Sequence, residues 1–157
     1  MSSKSTATAE NALTAEEIDT RLRSTTLARL ATFRADGMIH LTPIWFDWNG
    51  SVFRLSLGAG RVHIKNLTAD PRVTILVDEE YRLEHGLAAG AWAIECRGTA
   101  ELSTDETLIW EVTHGTMVKA MGEADADEYT GPVMAEGRTI VTITPKTWHT
   151  WDYNKVD

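Results

Sequence analysis

Cysteine is almost absent: Cys96 is the single thiol in 157 residues, so no disulfide can form within the chain. A disulfide scaffold is excluded, and a reducing cytoplasm suits such a sequence. Cys96 sits in an apolar stretch and reads as a buried thiol. Long apolar runs are missing too; none approaches the ~18 residues of a membrane helix. Residues 1–13 lack the apolar centre of a secretory signal and the Arg-rich character of a transit peptide. They read as a loose, solvated leader ahead of one domain over 14–157. Basic charge is in deficit, with 15 Lys and Arg against 23 Asp and Glu and a net charge of −8. Nucleic acid and anionic membranes want a net basic field, so neither is an expected partner. A local basic pocket is still allowed. The setting implied is cytoplasmic, with a small-molecule partner.

Catalytic signatures are missing as well. The five histidines, His40, His63, His85, His114 and His149, share no helix face at metal-ligand spacing, so no metal site is expected. No nucleophile elbow, Walker loop or carboxylate pair is present. No catalytic residue can be nominated. If the protein is an enzyme, a bound cofactor supplies the chemistry.

What is present is mostly strand pattern. Thr14-Ala15-Glu16-Glu17 is a capping box opening a short helix to about Ser24. Leu27 to Arg34 alternates, Asp36-Gly37 signals a hairpin with positive φ at both turn positions, and a second strand runs from about Met38 to Trp48. Asn49-Gly50 leads to a third strand over Ser51 to Leu57, completing an expected meander. Gly58-Ala59-Gly60 and a helix from Arg61 to Leu67 precede a short strand, Val73 to Val77. A polar loop is expected over Asp78 to Gly90, then a long strand over Ala91 to Leu102 with a bulge at Gly98. Ser103 to Glu106 is a second capping box for a helix to about Met121, whose inner face carries Leu108, Ile109, Val112 and Met117 or Val118. Glu123 to Glu128 reads as an acidic loop, and Arg138 to Ile143 and Thr147 to Tyr153 as two last strands. Six or seven strands with few helices give a mainly β, α+β fold: an antiparallel barrel closing on itself, with helices outside.

Two stretches can carry chemistry. After the Gly-Ala-Gly turn, Arg61 and Lys65 share one face of a short helix, and Ser56 ends the preceding strand. Helix-start amides, a guanidinium, an ammonium and a hydroxyl suit one phosphate group; the alternative is an ordinary solvated basic face. Pro43, in Thr42-Pro43-Ile44-Trp45-Phe46, cannot donate to a ladder. It marks either a break whose free backbone beside Thr42 meets a flat ring, or an edge strand. Six tryptophans belong to the core, to an aromatic ligand pocket or to a subunit interface.

The run LARLATFRADGMIHLTPIWFDWNGSVFRLSLGAGRVHIKNLTADPRVTILVD, from Leu27 to Asp78, resembles the flavin- and deazaflavin-binding split β-barrel family related to pyridoxamine 5′-phosphate oxidase, and RGTAEL at Arg97 to Leu102 continues the match. The resemblance implies a homodimeric split barrel with the cofactor between subunits. It brings Thr42, Pro43 and Ile44 to the flat ring, and Leu55 and Ser56 to the ribityl and phosphate region. Arg61 and Lys65 hold the phosphate, with Asn66 close by. Trp92, with Trp148 and Trp151, closes the ring pocket. The sequence lacks the Arg-x-x-x-x-x-Arg-Leu-x-Pro ending that pyridoxamine phosphate oxidases use on substrate, which argues against that activity. Its style is closer to members using coenzyme F420 than to those using FMN, while His63 stands where Arg or Lys is frequent and leaves F420 versus FMN open. The acidic tail of F420 would want Arg61, Lys65, Arg72 or Arg54. The expected function is an F420-dependent oxidoreductase moving hydride to a conjugated small molecule. The alternatives are an FMN-dependent oxidoreductase of the same fold, or a cofactor- or haem-binding protein without turnover. The acceptor would sit among loops over 81–90 and 122–133.

Overall fold

The computed structural model describes residues 10–155. Of the leader expected over 1–13, residues 1–9 lie outside those described. Asn11 and Leu13 are buried, and their backbones bond to the last strand: Asp152 N donates to Asn11 O (2.8 Å) and Leu13 N to Thr150 Oγ1 (3.0 Å). Helix α1 (Ala15–Ser24) starts on the expected box. Glu17 N donates to Thr14 Oγ1 (3.2 Å), and Thr14 N donates back to Glu17 Oε2 (2.7 Å).

Strand β1 (Leu27–Phe33) buries Ala28, Leu30 and Thr32 and pairs antiparallel with β2 (Ile39–Trp45). Their turn differs from expectation. Gly37 alone has positive φ (+82°), its N–H reaches Arg34 O (3.0 Å), and Arg34 N reaches Met38 O (2.9 Å). Asp36 instead caps the turn, accepting from Met38 N (3.0 Å). This is a turn followed by a glycine bulge, which needs a left-handed residue only at the glycine.

The expected second strand is two strands. It breaks at Phe46, and the two-residue β3 (Asp47–Trp48) pairs with β4 (Phe53–Gly58). The sheet order is β2-β1-β5-β6-β7-β4-β3, so β2 and β3 lie on opposite edges although one residue separates them. The sheet therefore curls into a half-barrel whose ends meet at a seam without a ladder: this is the antiparallel split barrel that the resemblance implies, while the three-strand meander and full closure read from the strand pattern do not form. Phe46 plugs the seam. Its ring is fully buried, its N–H reaches Thr26 O (3.3 Å), and Lys119 Nζ lies 4.0 Å from the ring centroid. Pro43 does not break the pairing: it stands opposite Arg29 in register, tolerated because β2 is an edge strand.

Helix α2 (Val62–Ala69) follows the glycine turn as expected. Strand β5 (Arg72–Arg82) is longer than its apolar centre, and β6 (Ala88–Ser103) starts earlier than Ala91. The region expected as a loop over 78–90 is thus mostly a two-stranded extension, its polar side chains turned outward while backbone bonds continue. The two last strands expected from the sequence are one, β7 (Arg138–Asp152), with an irregularity opposite Arg97 and Gly98. A Cβ at Gly98 would lie 2.4 Å from Thr144 O, so only glycine admits this approach.

Helix α3 (Glu106–Met121) buries Ile109, Val112, Thr113, Thr116 and Met117, leaving Val118 off the inner face. Its cap is Asp105, accepting from Leu108 N (2.8 Å), rather than the Ser103 box. The acidic stretch expected as a loop forms helix α4 (Glu123–Ala135), which buries only Ala126 and Thr130 and so has little apolar period. A three-residue 3-10 turn (Tyr153–Lys155) ends the described chain. The barrel core centres on Leu30, Phe46, Phe53, Leu55, Ile75, Ile94 and Ile143. No helix among the described residues is long and apolar enough to cross a membrane.

Candidate functional site

Alternation along β4 turns Leu55 and Leu57 into the barrel and Ser56 out toward α3. Ser56 Oγ lies 2.6 Å from Thr113 Oγ1. The β4–β7 register sets Arg138 opposite Gly58, two residues beyond Ser56 and on the same face of the strand. Arg138 Nε donates to Ser56 Oγ (3.1 Å) and Nη2 to Ser56 O (2.5 Å). The chain then turns through Gly58-Ala59-Gly60, with Arg61 N donating to Gly58 O (3.0 Å). Arg61 is the N-cap of α2 and offers no side-chain acceptor, so the first-turn amides are uncapped.

Arg61 folds back across this turn. Measured from the point a Gly58 Cβ would occupy, Arg61 Cγ is 3.2 Å away, Arg61 Nε 3.5 Å and Arg138 Nη1 3.8 Å. Two guanidiniums thus meet over Gly58, with the stem of Arg61 packed close against the glycine. Neither they nor Lys65 has a carboxylate partner among the described residues. Burial lowers the Arg138 pKa, Glu136 partly opposes this, and Arg61 lowers it further. Two cations outside any carboxylate ion pair, beside a helix start with no side-chain cap, are chemistry that suits an anion.

A cavity of about 340 Å³ opens beside Arg138 along the seam. Ser56, Thr113 and Arg138 form its polar end; Pro43, Ile44, Trp45 and Met117 form apolar wall. An elongated molecule with a flat apolar part and an anionic end suits that lining. His63 lies beneath the basic cluster, buried, with neither ring nitrogen hydrogen-bonded.

The expected site residues divide. Pro43, Ile44 and Ser56 line the cavity; Arg61 does not line it, but meets the lining residue Arg138 over Gly58. Thr42 faces inward opposite Leu30, its hydroxyl donating to Pro43 O (3.3 Å). Leu55 is wholly in the core. Lys65 is exposed on α2, beside Arg34 and Asp36 in a separate depression. Asn66 is buried and clamps α2 to β1, Nδ2 donating to Thr32 Oγ1 (3.0 Å). Trp92 is core, with the Arg21 guanidinium 4.6 Å above its ring. Trp148 packs edge-on against Trp48 near α1, and Trp151 stands opposite Ala93; neither lines the cavity. Arg54 is taken by Asp47 (2.5 Å) and Glu111 (2.6 Å), and Arg72 by Asp70 (2.6 Å). Hydrogen bonding to Arg72 pulls Asp70 down to about 2. Sequence reasoning missed Arg138, Thr113 and Met117. For Arg138 the only local signal was a basic residue opening a strand after Gly137.

Three solved structures share this fold. A conserved hypothetical protein from Mycobacterium tuberculosis is 22% identical, with TM-score 0.83, covering 97% of this chain and 92% of its own. A FAD-binding protein from Mesorhizobium loti is 19% identical, with TM-score 0.65, covering 89% and 93%. An F420 reductase is 21% identical, with TM-score 0.56, covering 83% and 94%. No curated protein matches the sequence. The family model for pyridoxamine 5′-phosphate oxidase matches residues 14–152, from the cap of α1 to the end of β7, and the chain belongs to that family.

Proposed function

We propose that this chain is an F420-dependent oxidoreductase that works as a homodimer and passes hydride between the deazaflavin and a conjugated small molecule. The observation that carries the reading is the meeting of Arg61 and Arg138 over Gly58, outside any carboxylate ion pair among the described residues, with Arg138 at the polar end of a cavity with an apolar wall. When bound, the deazaflavin supplies the hydride. The chain's own groups bind and orient. Arg61, Arg138 and the amides at the head of α2 hold the phosphate, with Ser56 fixing the Arg138 fork. Pro43, Ile44 and Trp45 flank the ring and keep water from one side of it. Lys65, exposed on the same helix and in no ion pair among the described residues, is a charge available to an acidic tail. Any proton the acceptor needs comes from solvent, since no acid lines the cavity.

A second copy suits the open side. Ile39, Leu41, Pro43 and Trp45 point outward from an edge strand, and Leu41 is 65% and Ile39 51% exposed. This apolar strip begins at the cavity wall and would be covered by the partner.

The test is binding of F420 and FMN to purified protein, followed by fluorescence quenching and calorimetry. F420 should bind, and R61A or R138A should weaken it at least about tenfold. Oxidation of reduced F420 by enone acceptors then separates an enzyme from a binder. A yellow preparation that retains FMN and ignores F420 would reassign the cofactor. Binding of neither, or no effect of either arginine, would overturn the reading.

A further inference from the structure

His63 is a buried residue that the proposed function leaves without a task. It lies on α2, two residues after the cap at Arg61, and it is only 8% exposed. Both Nδ1 and Nε2 are buried with no hydrogen-bond partner. Nearly all buried polar groups are paired, so a doubly orphaned imidazole needs a reason. The charged and titratable groups acting on it come from three elements: His40 on β2, with ring centroids 6.0 Å apart, Arg61 at the head of α2, and Arg138 on β7. All are basic. Burial, and then these three in that order, hold the imidazole below its ordinary pKa.

That environment is hostile to an imidazolium only while the guanidinium charges are uncompensated. An anion of charge −2 seated between Arg61 and Arg138 reverses the field, and an imidazolium, with two donors and no acceptor, matches an anionic neighbour where a neutral ring does not. We infer that His63 is the proton-taking member of the anion site, neutral when the site is empty and protonated when it is filled, so that anion binding takes up one proton. This rests on the anion site assigned above. It makes cofactor retention pH-dependent through the protein: affinity falls as pH rises through the pKa of His63 in the bound state, and levels off below the pKa of the empty state.

The experiment uses sulfate, whose charge does not change over the range, with the full chain. The ring nitrogens of His63 and His40 are followed by NMR from about pH 5 to 8, with and without sulfate. Sulfate should raise the His63 pKa by at least about one unit, equivalent to about tenfold tighter sulfate binding at the acid end than at the alkaline end. H63Q should still bind sulfate, with affinity flat across pH at the wild-type alkaline level. If sulfate binds and perturbs the Arg138 side chain but His63 does not move, or His40 moves in its place, the proton-taking role is wrong and the anion site stands. If sulfate does not bind, and R61A and R138A change nothing, the anion site itself fails and this inference falls with it. The wild-type titration decides the matter even if H63Q does not fold.

Discussion

Replacing Arg138 with Met separates a ligand-binding arginine from a structural one. Its side chain makes two bonds, to Ser56 Oγ and Ser56 O. Losing them costs about 1–2 kcal/mol at ordinary net values. Against this stands relief. Arg61 Nε and Arg138 Nη1 both lie within 4 Å of the same point over Gly58, so the charges are under about 8 Å apart, a repulsion of ~2 kcal/mol at an effective dielectric of 20. Half exposure and salt reduce that to about 1 kcal/mol. Burial that disfavours the charged form adds in the same direction. The terms nearly cancel, so thermal unfolding without ligand should shift by less than about 4 °C. Ligand binding has no such compensation. A charge-assisted bond to phosphate is worth about 1.5–3 kcal/mol, so the dissociation constant for F420 should rise about 10–150-fold. Differential scanning fluorimetry and binding titration read the two effects on one sample. A variant that melts more than about 10 °C lower yet binds the cofactor unchanged would refute the assignment and make Arg138 a strut for Ser56.

Three further outcomes follow from the packing. Asp152→Ala should destabilise by about 3 kcal/mol in urea unfolding, because Asp152 is buried and accepts from Arg21 Nη2 (2.6 Å) and Tyr81 Oη (3.0 Å), and its loss strands a cation over Trp92; a loss under about 1 kcal/mol would contradict this. Lys119 bonds to Leu22 O (2.7 Å) and Phe46 O (3.4 Å), and burial pushes its ammonium down to about 8. Between that value and the unfolded one the unfolded chain binds more protons, so stability relative to K119M should rise as pH goes from about 8 to 10; a flat or falling difference would remove the argument. Cys96 is buried with its thiol pushed up to about 12, so a thiol reagent should titrate one group only after denaturation; rapid native reaction would show an opening absent from this packing.

Much of the frame was legible because local chemistry dictates it. The Thr14–Glu17 box, the alternation of LARLATF and the bulge at Gly98 each follow from a few neighbouring residues. What escaped was set by distant partners. The break at Phe46 is invisible in a run of strand-forming residues, since it depends on β2 pairing with β1 while β3 pairs with β4. Helix α4 hides for the opposite reason: it packs through Ala126 and Thr130 and leaves its acids in water, so no apolar period marks it. The candidate site splits the same way. Arg61 and Ser56 flank one turn and could be grouped by sequence, whereas Arg138 reaches Ser56 from 82 positions away through the β4–β7 register.

The net charge of −8 and the basic site are two sides of one arrangement. Several arginines have a carboxylate at close sequence spacing: Arg23 with Asp19, Arg72 with Asp70, Arg82 with Glu80 and Arg97 with Glu95. Others meet one across a ladder or between elements, as Arg54 does with Asp47 and Arg29 with Asp78. Acid therefore neutralises basic charge over most of the surface, and the exposed pairs contribute little to stability. At the head of α2 this stops: among the described residues Arg61, Lys65 and Arg138 form no ion pair with a carboxylate, and the neighbouring His63 is held below its ordinary pKa by burial and by the basic groups around it. The surplus of acid elsewhere does not cancel this spot, because screening over ~8–10 Å separates the two. Among the described residues Arg61 and Arg138 are the two arginines outside every carboxylate ion pair, whereas Arg54 and Arg72, which the sequence offered equally, are taken by Asp47, Glu111 and Asp70.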